Sequence, residues 1–138
     1  MIVTIEEYLR LADSDSKEDT ERTVHEELSS EVISKIINEY PEKKCWLIHN
    51  KKIPLSVLKV LSIDCDEEIR FTIAMKRKCD RELFETLMKD SAYSVRMAIV
   101  RNKKIPLDLL ESMKNDFEIE ISEEAGRIFE NRTRNLDY

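Results

Sequence analysis

Glycine is almost missing from this chain, with one residue in 138. Sheet turns with φ > 0 draw on glycine most cheaply, and a phosphate-cradling loop or a nucleophile elbow needs several. Most β architectures, P-loop and Rossmann nucleotide binding and α/β-hydrolase chemistry are therefore set aside. Proline is scarce too, with three residues. No apolar run approaches the roughly 18 residues of a membrane helix. The opening Met1–Asp15 segment has no basic stretch followed by a long apolar one, so no signal peptide is read there. Cys45, Cys65 and Cys79 form an odd set at wide spacing. Without a secretion signal they read as reduced thiols of a cytoplasmic protein. His25 and His49 are the two histidines. Zinc needs about four converging ligands, so no metal or other cofactor is expected.

What is abundant is charge: 38% of residues, against 41% hydrophobic. That balance suits an all-α fold of thin helical layers with much surface per residue. The chain also repeats. Asn50-Lys-Lys-Ile-Pro-Leu55 recurs as Asn102-Lys-Lys-Ile-Pro-Leu107, and half that offset lands on the weaker copy Lys76-Arg-Lys-Cys-Asp80. In this 26-residue register Val57, Leu83 and Leu109 coincide, as do Leu61, Leu87 and Met113, and Ile69, Val95 and Ile121. Asp64, Asp90 and Asp116 share one position.

Each block reads as two short helices. Pro54 and Pro106 suit a first helical position, and Asp80 an N-cap. The aspartate at 64, 90 or 116 then caps the second helix, with Glu67 completing a capping box at Asp64. Upstream, Ser30–Asn38 and Pro41–Asn50 read as a degenerate pair. Thr4-Ile-Glu-Glu7 opens a helix to about Ala12, residues 13–19 read as a loop, and a helix runs through Val24 to Leu28. The expected layout is an N-terminal helical cap over 1–29, repeats over 30–49, 50–75, 76–101 and 102–132, and a tail over 133–138, all in one structural domain.

The pattern Asp-x-Asp/Glu-x-x-(Ile/Val)-Arg, followed by an apolar pair, an Asn and a Pro-started helix, resembles the bacterial HEAT-like repeats of the leucine-rich-repeat-variant type. The resemblance covers residues 30–130. It implies a short right-handed α-solenoid, an α–α superhelix of about four helical pairs. It also implies a ladder between neighbouring repeats in which Asp64 and Arg70, then Asp90 and Arg96, recur in step. The last copy keeps Asp116 but has Ser122 in place of the arginine. No four-cysteine cluster accompanies the repeats, so the iron–sulfur site of one branch of that family is not implied.

Charge marks the surface. Residues 1–43 hold 12 acids against 5 bases, residues 44–110 hold 9 against 14, and residues 111–138 hold 8 against 4. Much of the central excess lies between repeats: Lys51, Lys52, Lys76, Arg77, Lys78, Arg101, Lys103 and Lys104. Stacking would line these up as a ridge that meets an acidic protein or nucleic-acid phosphates; the plainer reading is a solubilising edge. Trp46, near His49, is the sole tryptophan. It is either a binding hot spot or packing against the N-terminal cap. No catalytic residues are assigned. The expectation is a non-enzymatic protein that binds a protein partner as adaptor or scaffold. Two readings compete with it: an immunity protein that masks a toxin, and nucleic-acid binding through the basic ridge.

Overall fold

The structure, a computed structural model, describes residues 1–134. Thr133 and Arg134 close the last helix and so do not belong to a tail; residues 135–138 of the expected tail lie outside the described residues. The described chain is all-helical. Its ten α-helices are α1 (Ile5–Ala12), α2 (Lys17–His25), α3 (Ser30–Glu39), α4 (Lys44–Leu47), α5 (Leu55–Leu61), α6 (Glu67–Ala74), α7 (Arg81–Leu87), α8 (Tyr93–Arg101), α9 (Leu107–Ser112) and α10 (Ile119–Arg134). Short 3-10 turns at Pro41–Lys43 and Met113–Asn115 join them. Odd-numbered helices open at residues 5, 30, 55, 81 and 107. None of these helices is long and apolar enough to cross a membrane. The chain divides into two compact units, Met1–Leu58 and the part from Lys59 onward, with the boundary inside α5.

In the first unit, Thr4 Oγ1 caps α1 by accepting from the Glu7 N–H at 3.2 Å, which satisfies one orphan amide. Ile5, Tyr8 and Leu11 then fall on one face and are buried. Residues 13–19 are not a loop throughout. Ser16 accepts from the Asp19 N–H and starts α2 at Lys17, because serine and the acidic first turn (Glu18, Asp19) answer the exposed amides there. That helix stops at His25, short of Leu28. Instead, Ile2 donates its N–H to the Glu27 carbonyl and accepts from the Ser29 N–H, which makes a single parallel bridge between Ile2 and Leu28. The helix expected over Pro41–Asn50 is reduced to the 3-10 turn and the four residues of α4. The Tyr8 hydroxyl is buried with no hydrogen-bond partner among the described residues, and burial raises its pKa.

The second unit packs α6 through α10 around Ile69, Ile73, Leu83, Phe84, Leu87, Val95, Ile99, Leu110 and Ile121, all nearly fully buried. Such side chains contribute about 1.5–3 kcal/mol each on burial. The helix starts differ from expectation by a residue or two. Asp66, not Asp64, is the N-cap of α6 and accepts from the Glu68 N–H at 2.9 Å. Ala92 holds that place for α8, and Pro106 is the N-cap rather than the first residue of α9. Asp64, Asp90 and Asp116 instead each accept the N–H two residues on at 2.9 Å, in local turns just ahead of their helices.

The two matching asparagines act alike. Asn50 Nδ2 donates to the carbonyls of Thr23 and Glu26, both at 2.8 Å, and its Oδ1 accepts from the Lys52 N–H. Asn102 Nδ2 donates to the carbonyls of Ala74 at 2.7 Å and Lys76 at 3.0 Å, and its Oδ1 accepts from the Lys104 N–H. Each asparagine thus ties its loop to carbonyls at the end of α2 or α6, groups the helix itself leaves unsatisfied. Removing a buried amide that serves two carbonyls strands them at about 1–3 kcal/mol each. Chemical denaturation of Asn102→Ala is expected to show a loss of about 2 kcal/mol or more, with Lys104→Ala within about 0.5 kcal/mol of the parent. Equal stabilities would remove the tie from this account.

Candidate functional site

The site is set up by two buried-face helices that also carry a second apolar stripe. In α6, Ile69 and Ile73 point inward while Phe71 and, four residues on, the C-cap Met75 stay outward at 36% and 60% exposure. In α8, Val95 and Ile99 are buried while Tyr93, Met97 and Arg101 follow one another at four-residue spacing on another face, Tyr93 being 43% exposed. The two helices run in the same direction. Near their starts Ser94 Oγ donates to Glu67 Oε1 at 2.5 Å, and at their ends Asn102 binds the Ala74 carbonyl. Between them lies an open groove of about 470 Å³, floored by Phe71, Met75, Met97 and Ala98 and edged by Tyr93.

Charge is ordered along this groove. Asp66, Glu67 and Glu68 stand at the start of α6 beside Phe71. Glu120 and Glu123, early in α10, flank Tyr93 and Met97, whereas Glu124 stands with Arg101 and Arg127. Arg77, Arg101 and Lys103 line the opposite end, where α6 and α8 finish. The order matches the helix dipole, which favours anions at the N-terminus and cations at the C-terminus. Arg101 reaches Glu124 at 3.8 Å, while Arg77 and Lys103 have no ion-pair partner among the described residues.

The residues singled out by sequence fall into two sets. Trp46, His49, Lys51 and Lys52 belong to the first unit, where Trp46 is 39% exposed on α4 and the other three are exposed. Lys76, Arg77, Lys78, Arg101, Lys103 and Lys104 belong to the second, and of these Arg77, Arg101 and Lys103 line the groove. Phe71, Tyr93 and Met97 were missed by sequence reasoning, which followed the buried stripe alone. The available signal was the extra i, i+4 apolar pair on each of α6 and α8.

Two further arginines bridge the segments ahead of α6, α8 and α10. Arg96 is 3% exposed. Its Nε donates to Asp116 Oδ2 at 3.0 Å, its Nη1 to the Asp90 carbonyl at 2.8 Å, and its guanidinium lies 4.5 Å from the centre of the Phe117 ring. Arg70 repeats the pattern with Asp90 Oδ2 at 2.8 Å and the Asp64 carbonyl at 2.7 Å. The aspartate six residues back therefore contributes its backbone carbonyl, and the aspartate twenty residues on contributes its carboxylate. The Asp90 bond holds the Arg70 guanidinium above its ordinary pKa. Outside the groove, Lys59 spans Asp80 at 3.0 Å and Glu82 at 2.8 Å, and Arg81 spans Glu85 at 2.8 Å and Asp108.

Comparison with known protein families, with curated proteins and with solved structures finds no match.

The cysteines differ in environment. Cys65 is exposed because it lies in the turn before α6. Cys79 is buried, its Sγ donating to the Ile73 carbonyl at 3.0 Å. Burial, with Asp80 nearby, pushes that thiol up to about 11. Maleimide labelling at neutral pH followed by peptide mapping is expected to modify Cys65 first and Cys79 only after unfolding. Labelling of Cys79 at the rate of Cys65 in the folded protein would contradict this burial.

Proposed function

We propose that the protein is a non-enzymatic HEAT-like α-solenoid of the leucine-rich-repeat-variant type, built of helical pairs at a 26-residue period, that binds a protein partner as an adaptor or scaffold. The single observation that carries the reading is the groove of the second unit. Phe71, Met75 and Tyr93 leave large apolar surface exposed side by side, and Arg77 and Lys103 stand at its rim. Monomeric proteins seldom leave such clustered apolar surface without a use. Methionine and aromatic side chains offer area with an adaptable shape. The chemistry on offer is burial plus charge complementarity. The period in the helix starts and the matched roles of Asn50 and Asn102 support the solenoid.

Masking a basic toxin fits the net charge of −6, but nothing in the groove favours an enzyme as the partner. Nucleic-acid binding is disfavoured by the carboxylates of Glu67, Glu68, Glu120 and Glu123 beside the exposed aromatics, which would repel a phosphate backbone.

The test is affinity purification from the native host with the parent and with Met75→Glu/Tyr93→Ala, changes at exposed positions that leave the core intact. The expected outcome is one stoichiometric protein partner with the parent and its loss, by about tenfold or more, with the variant. Equal recovery would remove the groove from the function.

A further inference from the structure

The charge order along the groove carries a statement about what fills it. Three helices contribute to this face in the same sense. The starts of α6 and α10 carry Glu67, Glu68, Glu120 and Glu123; the ends of α6 and α8 and the loops that follow carry Arg77, Arg101 and Lys103. Between the two ends lies a belt with few charges, made by Phe71, Met75, Tyr93 and Met97. The belt follows α6, whose eight residues rise about 12 Å. That length accommodates about two turns of a partner helix, or three to four residues of extended chain. A uniformly acidic segment would meet repulsion at one end, and a uniformly basic one at the other.

We propose that the groove binds a short bipolar peptide segment of a partner protein, with carboxylates at one end, an apolar anchor in the middle and lysine or arginine at the other end. The carboxylates lie against Arg77 and Lys103. The anchor rests on Met75 and Phe71 and is flanked by Tyr93. The basic end lies against Glu67, Glu68 and Glu120. This rests on the binding-module reading and narrows it to one kind of ligand. Arg77 and Lys103 supply the least compensated positive charge on this face, since Arg101 already faces Glu124. Ser94 fixes Glu67, so part of the acidic end is held in place before any ligand arrives, which lowers the cost of ordering on binding.

Three fluorescein-labelled peptides with one shared Leu-Phe-Leu anchor test this by anisotropy on the full chain. The first has two aspartates before the anchor and two lysines after it, the second has aspartates on both sides, and the third has lysines on both sides. The bipolar peptide is expected to bind at least about tenfold more tightly than either uniform one, the factor for a few exposed ion pairs gained against as many repulsions. Arg77→Glu/Lys103→Glu, changed only at exposed positions and checked for retained helicity by circular dichroism, is expected to move the preference to the lysine-flanked peptide. A uniform peptide binding the parent as well as the bipolar one overturns the proposal, as does an unchanged preference in the variant or no binding by any of the three. A labelled single-stranded oligonucleotide that binds more tightly than the bipolar peptide overturns it too. Where the peptides fail but Met75→Glu/Tyr93→Ala still abolishes partner recovery, the bipolar ligand is wrong and the binding module stands.

Discussion

A guanidinium at 3% exposure must be surrounded by acceptors, because a buried charge stripped of one partner costs about 3–5 kcal/mol. Arg96 meets that demand from two places in the sequence at once. The carbonyls of Asp90 and Ser91 satisfy one side of the fork, and the Asp116 carboxylate satisfies the other. The ion pair is weak as a source of net stability against an apolar replacement, but strong as a constraint. It permits one placement of the α10 entry relative to α8. Arg70 and Asp90 set the same constraint between α6 and the entry of α8.

Those constraints explain why the groove exists. Short helices of seven to nine residues, such as α6 and α8, are unstable alone. Their positions come from what grips their ends. Arginine bridges hold the entries of α6, α8 and α10, and Asn102 holds the finishing ends of α6 and α8. With both ends fixed, α6 and α8 run side by side, and the stripe left over from core packing becomes a continuous apolar floor. The acids and bases suited to helix ends then fall at opposite ends of that floor. One set of local rules for helix termini thus yields a polarised binding face.

Much of this was legible from residues. The buried stripe at Ile69, Ile73, Val95 and Ile99, the cap at Thr4 and the all-helical class follow from spacing and glycine scarcity. The placement of the aspartates was not. Asp64, Asp90 and Asp116 look like caps, yet each sits two residues early, and for Asp90 and Asp116 it takes the three-dimensional position of an arginine twenty residues back to show why. The Ser16 cap was overlooked because residues 13–19 read as polar loop, although a serine followed by two acids is itself a helix start. The groove was partly legible. Its bases, Arg77, Arg101 and Lys103, stand out as charge, whereas Phe71 and Tyr93 gain meaning only once their neighbours show which helix face is already buried.

The most direct test of the central constraint is a double-mutant cycle on Arg96→Met and Asp116→Asn, read by urea denaturation. If the bridge fixes the register of the second unit, each single change costs about 3 kcal/mol, and the pair together costs less than the sum by about 2 kcal/mol or more. Additivity within about 0.3–0.5 kcal/mol would mean that the two side chains act independently, and the constraint from which the groove was derived would be absent.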